Sequence, residues 1–224
     1  MVKRTKLKDR VLPNYSKGEE IANMVTHIIG GAMGLVVLLL AIFVSIRNKS
    51  VWSMVSGIIY GVSMVILYTI SSVYHGLKPS YGKKVMQVID HSMIYLLIAG
   101  TYTPILLAGI RPQHPLIAWL IFGAEWGLAA FGSVFTSIDH NRYKKLSMIC
   151  YIGMGWFIIL ALKPTIEAMG STGFTWLIAG GVSYTVGAIA YGIGKNKAVF
   201  HTIFHILVDI GSILQAVCIL KYVL

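Results

Sequence analysis

His201 and His205 are two histidines four residues apart in a largely apolar run that continues to Leu224. On a helix this spacing places both imidazoles on one face, one turn above the other. Histidine pairs with this spacing are typical zinc ligands. The competing interpretation is two core histidines, each hydrogen-bonded to a neighbouring helix, because a polar side chain inside an apolar segment needs a partner.

Three further histidines, His27, His75 and His91, lie near the ends of other apolar runs. Neutral imidazole suits Zn²⁺, and three histidines leave one position of a tetrahedral site open for water. We expect the ligands to be His75, His201 and His205. His27 and His91 are the competing candidates, and each is otherwise interpreted as a buried residue bonded to a backbone carbonyl.

Asp90, Glu125 and Asp209 are carboxylates within apolar runs. Asp90 could bind the metal, hydrogen-bond a bound water, or orient one of the ligating histidines. Glu125 and Asp209 lie nearer the middle of their runs, where each serves either a helix-to-helix hydrogen bond or a proton relay. His114 and His140 fall in loops that contain prolines or lysines, and we expect their side chains to be solvated.

The composition is that of a membrane protein. Of the 224 residues 56% are hydrophobic and only 12% are charged, whereas a soluble domain carries about 25% charged residues. Cys150 and Cys218 both fall within apolar segments, so we expect neither a disulfide framework nor a cysteine zinc site. The basic and polar start of the chain lacks the short apolar core of a removable signal peptide.

Apolar runs of membrane-spanning length, ~20 residues each, recur along the sequence and predict an all-α integral membrane fold of seven transmembrane helices. We expect a basic cytoplasmic tail over residues 1–20, followed by one seven-helix transmembrane domain over residues 21–224. The predicted spans are 21–46, 52–75, 86–109, 115–136, 147–163, 172–193 and 199–222.

The basic residues predict the orientation of these spans. Fourteen of the 19 Lys and Arg residues fall in the tail and the even-numbered loops, and five fall on the other side. Because basic residues accumulate on the inner side, the amino terminus is predicted in the cytoplasm and the carboxy terminus outside. The net charge of +11 is therefore expected to contact anionic lipid headgroups, and we do not expect nucleic acid as a partner.

This topology brings ionisable residues from four spans to one level, the inner leaflet. Span two returns to the cytoplasmic side at its end, whereas spans one, three and seven begin there. Random placement would leave some of these residues at the outer ends. The residues that converge are His27, His75, Asp90, His91, His201 and His205.

Three motifs occur in order on the expected spans, and together they are specific. The chain resembles the hemolysin III branch of the progestin and adipoQ receptor (PAQR) membrane proteins, which includes the adiponectin receptors, over nearly its full length. The motifs are Glu20–His27 on span one, Ser71-x-x-x-His75 with Asp90–Pro104 on spans two and three, and His201-x-x-x-His205 on span seven.

The resemblance implies a seven-helix fold with a cytoplasmic amino terminus, located in a bacterial plasma membrane. It implies zinc as the cofactor, bound by the histidines that match His75, His201 and His205. The family's aspartate near the zinc-bound water corresponds to Asp90, and its motif serine corresponds to Ser71. Kinship to alkaline ceramidases further implies hydrolysis of a lipid amide or ester and a role in membrane-lipid homeostasis.

Three functional classes follow. The first is a zinc hydrolase of a membrane lipid, in which Asp90 or His91 assists with the proton and Ser71 positions the water or the carbonyl. The second is a membrane receptor or lipid sensor with structural zinc. The third is a hemolysin that acts by cytolysis or pore formation, which we rank last because the sequence lacks amphipathic switching segments and a secretion signal.

Asp209 is a departure from the family pattern, since we expect an apolar residue there.

Overall fold

The computed structural model describes residues 5–194 and 197–224, and these residues form helices and connecting turns without a β-strand. Lys3, Arg4 and Lys195, which contribute to the predicted charge bias, lie outside the described residues. The α-helices are α1 (Lys17–Arg47), α2 (Val51–Gly76), α3 (Tyr81–Pro104), α4 (Pro115–Gly155), α5 (Leu162–Ile193) and α6 (Val199–Tyr222). A 3₁₀ turn (Leu7–Asp9) precedes α1, a π-helical segment (Ile105–Ile110) extends α3, and a second 3₁₀ segment (Phe157–Ala161) joins α4 to α5.

Serine caps fix where the first three long helices begin. The Ser16 side chain accepts a hydrogen bond from the Glu19 backbone, and the Glu19 carboxylate accepts one from the Ser16 backbone in return. The Ser50 and Ser80 side chains each accept a hydrogen bond from one backbone N–H in the first turn of α2 and α3. These caps satisfy amide groups that the first turn of a helix leaves without an intrahelical partner.

Within the described residues, five continuous helical stretches are long and apolar enough to cross a membrane. They are Lys17–Arg47, Val51–Gly76, Tyr81–Ile110, Pro115–Ile193 and Val199–Tyr222. Large apolar side chains point outward from these helices, as expected of a surface in contact with lipid; Leu39, Phe43, Leu120 and Ile189 are examples. The chain is therefore a multi-pass membrane protein with an all-helical fold.

The fourth stretch is 79 residues long, and besides the 3₁₀ segment that joins α4 to α5 it contains two residues with non-helical backbone angles. Asp139 has extended backbone angles (φ −158°, ψ 91°) within α4. Gly170 within α5 has φ 69° and ψ 170°, a backbone conformation that is essentially restricted to glycine. The sequence predicted a loop between 136 and 147, whereas the chain there is helical apart from Asp139.

The described part of the amino-terminal tail packs against the helices. The Thr5 backbone N–H donates to Asp139 Oδ2 at 2.8 Å, and Lys84 Nζ donates to the Lys8 carbonyl at 2.6 Å. Arg10 is buried and donates from Nη2 to the Ile138 carbonyl at 3.3 Å. The tail therefore lies across the end of the bundle where α3 begins and where Asp139 interrupts α4.

Candidate metal centre

His75, His201 and His205 come together in the structure. One ring nitrogen of each histidine lies within 4.8 Å of those of the other two, and all three residues are buried. His75 is in the last turn of α2, whereas His201 and His205 lie in the first two turns of α6. The i, i+4 spacing brings His201 Nε2 to 3.0 Å from His205 Nε2, as the helical period requires.

The tautomer of His75 suits a metal ligand. Its Nδ1 lies 2.7 Å from Glu20 Oε2, and because a carboxylate only accepts hydrogen bonds, Nδ1 is the protonated nitrogen. The lone pair is then on Nε2. This atom is buried and has no hydrogen-bond partner within the described part of the chain. A buried acceptor without a partner is costly, and coordination of a cation would satisfy it.

The donor set fits a divalent metal ion. In a tetrahedral site with Zn–N bonds of roughly 2.1 Å, ligand nitrogens lie ~3.4 Å apart. The His201–His205 separation of 3.0 Å is close to this value, and the outer limit of 4.8 Å for the set requires only a small approach. Three imidazoles suit zinc, copper, iron and nickel ions alike, so the geometry indicates a metal site without selecting the element.

Glu20 and Lys83 form a second layer behind His75. Lys83 Nζ donates to Glu20 Oε1 and also to the Leu77 carbonyl at 2.9 Å, so the carboxylate is held between the lysine and the imidazole. Carboxylate–histidine–metal arrangements of this kind fix the ring orientation of the ligand. Glu20 begins the first motif of the sequence, but its contact with His75 was not predicted from the sequence.

His27 lies close to the cluster but is not one of the three histidines whose ring nitrogens converge. Its ring stacks on the His205 ring with centroids 3.8 Å apart, and its edge faces the Tyr68 ring. Both of its ring nitrogens are buried, and neither has a hydrogen-bond partner among the residues described. Among those residues the ligand set contains neither of the two competing candidates, His27 and His91.

The three predicted catalytic residues, Ser71, Asp90 and His91, line one cavity of about 160 Å³ together with His201 and His205. The structure therefore brings the three predicted residues to the same space as two histidines of the cluster. Apolar and aromatic side chains form most of the remaining wall. A small apolar cavity with a few convergent polar groups is the usual form of a ligand site.

His91 is held by its own helix. Its Nδ1 donates to the Gln87 carbonyl at 2.8 Å, and its Nε2 lies 3.4 Å from the Tyr191 hydroxyl. Asp90 Oδ2 is 3.6 Å from His91 Nδ1, which is too long for a hydrogen bond. The Asp90 side chain is 15% exposed, so its carboxylate oxygens remain available to a ligand in the cavity.

The prediction that His140 is solvated is wrong. His140 is buried, lies with its ring centroid 4.1 Å from that of His91, and lines the cavity. The lysines near it made the segment appear to be a solvated loop, whereas the chain is helical there and turns one face toward α3. His114 is half-buried, and its Nε2 lies 2.7 Å from Glu167 Oε2.

Glu125 and Asp209 lie outside the ligand set. Glu125 is fully buried, and neither of its carboxylate oxygens has a hydrogen-bond partner in the described ranges. Of the two roles considered for Glu125, the helix-to-helix hydrogen bond is therefore absent among those residues, and the proton relay stays a prediction. Asp209 follows His205 by one helical turn and carries one buried oxygen, Oδ1, without a partner there.

Tyr15, from the tail, covers the histidine cluster. Its ring stacks on the His201 ring with centroids 5.0 Å apart and planes 20° from parallel, and it lies 5.9 Å from the His75 ring. Burial raises the pKa of the Tyr15 phenol, and the neighbouring Tyr191 and Glu20 raise it further. The phenol therefore remains neutral over the physiological range, as a hydrogen-bond donor beside the cluster.

The sequence also matches known proteins. The family model described as "Haemolysin-III related" matches residues 15–216, which include the whole histidine cluster and Glu20. "Hemolysin-3" of Bacillus cereus is 40% identical over 206 residues, covering 92% of this chain and 92% of that protein. "Hemolysin-3 homolog" of Bacillus subtilis (strain 168) is 39% identical over 204 residues, covering 91% and 94%. "Monocyte to macrophage differentiation factor" of Homo sapiens is 27% identical over 180 residues, covering 76% and 71%.

Proposed function

Because this chain belongs to the haemolysin-III-related family, we propose that it is a zinc-dependent hydrolase of a membrane lipid amide or ester. The resemblance predicted from the three motifs is confirmed by the family match. We propose membrane lipids as the partners of the protein and membrane-lipid homeostasis as its role.

One observation carries the proposal: three buried histidines converge beside an apolar cavity that Ser71, Asp90 and His91 also line. A structural metal site needs its ligands but does not need a cavity with further polar groups. A hydrolytic site needs both, because substrate and water must reach the metal.

Hydrolysis adds the elements of water across an acyl C–O or C–N bond and releases a fatty acid and an alcohol or amine. When bound, zinc in a three-histidine site supplies Lewis acidity, which activates water and polarises a carbonyl oxygen. Glu20 holds the Nδ1 proton of His75 and thereby keeps the Nε2 lone pair available.

Asp90 and His91 are the proposed proton acceptors in the cavity. Asp90 presents carboxylate oxygens that are only partly exposed. His91 has its Nδ1 proton committed to the Gln87 carbonyl, which leaves the lone pair on Nε2. Either group can act as the general base and then return the proton to the leaving group. The hydroxyl of Ser71, which also lines the cavity, is proposed to position the water or the carbonyl.

The apolar part of the cavity is proposed to hold the acyl chain. A lipid entering between the helices would place its chain along these walls and its polar end toward the histidines. Burial of a chain there is favourable by about 0.8 kcal/mol per methylene relative to water. Wall residues of this kind are Leu97, Ile98, Ile152, Phe204 and Val208.

We also propose seven spans and a bacterial plasma membrane location. The interruptions at Asp139 and Gly170 divide the stretch Pro115–Ile193 into three helical segments, and with the four other stretches these make seven. The basic bias of the sequence supports a cytoplasmic amino terminus. The Bacillus relatives support a bacterial cell membrane.

A lipid sensor with structural zinc is the second candidate. Tyr15 stacks over His201 and the tail packs across the same end of the bundle, and a covered site favours a structural role. The names of the Bacillus relatives refer to hemolysis, so cytolysis is a third possibility that a red-cell lysis assay of the purified protein tests directly.

The deciding experiment compares zinc-loaded and chelator-stripped protein in detergent micelles with a short-chain ceramide and a short-chain ester. We expect turnover only with zinc, its loss in His205→Ala, and its retention in His114→Ala, which removes a half-buried histidine outside the cluster. Zinc-saturated wild-type protein that cleaves neither probe would exclude the hydrolase and favour the sensor.

A further inference from the structure

We propose that the cavity beside the histidine cluster accepts a lipid with an anionic headgroup, and that Lys144 binds this headgroup. The inference rests on the proposed function, because it names the substrate class of the same site. The ammonium group of Lys144 has no role in the proposed hydrolysis. Lys144 lines the cavity, whereas the next residue, Lys145, is exposed.

Lys144 has an aromatic neighbour and, among the residues that the structure describes, no carboxylate counterion. Its Nζ lies 5.1 Å from the centre of the Tyr191 ring. Within residues 5–194 and 197–224 it forms no ion pair with a carboxylate. The other charged residue of the cavity wall, Asp90, is likewise not paired with it. A half-buried ammonium without a carboxylate partner lacks compensation for its lost hydration, and an anion in the cavity would supply it.

Tyr191 connects Lys144 to the metal-binding end of the cavity. The Tyr191 ring lies 5.7 Å from the His201 ring, and its hydroxyl lies 3.4 Å from His91 Nε2. One aromatic ring thus separates the ammonium from the histidines. A headgroup bound at Lys144 would therefore place an acyl bond a short distance away, on the side of the histidine cluster.

A second positive charge acts on the same region. Arg10 is buried, and its Nε and Nη1 have no hydrogen-bond partner in the described part of the chain. Both Arg10 and Lys144 are close enough to His140 to act on it electrostatically. Arg10 also acts on the buried Asp139 carboxylate, which offsets part of its charge, so Lys144 is the charge that selects for a negative headgroup over a neutral or zwitterionic one.

The rest of the cavity requires an apolar chain on the same ligand. Most of the other side chains that line the cavity are apolar, such as Ile94, Leu97 and Phe204. A free inorganic anion would compensate the ammonium but leave these walls unfilled. An acyl lipid with a phosphate or carboxylate headgroup satisfies both halves of the cavity.

The test measures binding to zinc-loaded protein in detergent by native mass spectrometry. The probes are short-chain phosphatidylglycerol and phosphatidylcholine with identical chains. We expect phosphatidylglycerol to bind roughly tenfold more tightly, the effect of about one charge-assisted hydrogen bond. The preference should disappear in Lys144→Gln, and it should persist in Lys144→Arg and in the matched control Lys145→Gln. Zinc content should be the same in all four proteins.

Equal binding of the two lipids by the wild-type protein would overturn the inference. A preference for phosphatidylglycerol that survives Lys144→Gln would overturn it as well. Displacement of phosphatidylglycerol by inorganic phosphate at an equal concentration would overturn the assignment to a lipid. The readout is binding, so it is independent of turnover. Headgroup preference without hydrolysis contradicts only the proposed function, and hydrolysis without preference contradicts only this inference.

Discussion

Glu20 Oε2 lies 2.7 Å from His75 Nδ1, although 55 positions separate the two residues in the chain. This contact joins the first turn of α1 to the last turn of α2. It fixes the His75 tautomer that leaves Nε2 free for a metal ion. Lys83 binds the other carboxylate oxygen, so the position of Glu20 is itself constrained by α3.

Glu20→Gln should weaken zinc binding by roughly 10- to 100-fold, the usual effect of losing a residue that orients a metal ligand. The amide keeps the size of the side chain but loses the charge that holds the His75 proton. Competition with a chromogenic chelator measures the affinity. Glu19→Gln is the control, because glutamine still serves in the helix cap with Ser16. Equal zinc affinity in the two variants would contradict the role given to Glu20.

His205→Ala should reduce bound zinc from one ion per chain to nearly none. The expected cause is that two remaining imidazoles cannot hold the ion against a chelating buffer. Elemental analysis of the purified protein measures the content. His140→Ala is the control, because His140 is also buried at this end of the bundle but lies outside the ligand set. Unchanged zinc in His205→Ala would exclude the three-histidine site.

Gly132→Ala should destabilise the bundle by about 1–3 kcal/mol, the cost of overpacking. A methyl group at this position would overlap the Tyr95 ring, which is fully buried. Gly123→Ala in the same helix is the control, since a methyl group there meets nothing within 4 Å and alanine favours the helix. Thermal unfolding in detergent measures the difference. Equal midpoints for the two variants would show that α4 does not pack on α3 at this position.

Much of the site could be predicted because its geometry is local. The His201–His205 pair depends only on the helical period. The arrival of His75 at the same place depends on the ends of apolar runs, which hydrophobicity marks well. The cavity is less local, since its walls come from several helices whose packing angles no single run determines.

Contacts across the chain were harder to foresee. The Glu20–His75 hydrogen bond and the Arg10–Ile138 contact join segments 55 and 128 positions apart. The burial of His140 was missed because lysines beside it suggest a solvated loop. A long lysine side chain can extend away while its helix turns another face inward, and composition alone does not distinguish the two cases.

Reporter fusions should place the amino terminus in the cytoplasm and Leu224 outside, as the bias of basic residues predicts. Fusions after Arg142 should report the cytoplasm and fusions after Gly170 the outside, if the interruptions at Asp139 and Gly170 are turns between spans. The same side for both internal fusions would mean that Pro115–Ile193 contains fewer crossings than three. Residue 1 outside would reverse the whole topology.

Asp90→Asn should keep zinc and the fold but lower turnover of a short-chain ester by roughly 10²- to 10⁴-fold, the usual contribution of a general base. Asp90 lines the cavity with His201 and His205, and the amide cannot accept the proton that hydrolysis releases. The measurement is kcat at saturating substrate, together with zinc content and the thermal midpoint of the same preparation.

Asp209→Asn is the matched control for this prediction. It replaces a partly buried carboxylate by the same amide on α6, in a residue that does not line the cavity, so turnover should persist. Loss of zinc along with turnover in Asp90→Asn would assign Asp90 to holding the metal site together. Wild-type turnover in Asp90→Asn would instead transfer the role of base to His91, whose Nε2 lone pair faces Tyr191. Only a variant that retains zinc and loses kcat supports Asp90 as the proton acceptor.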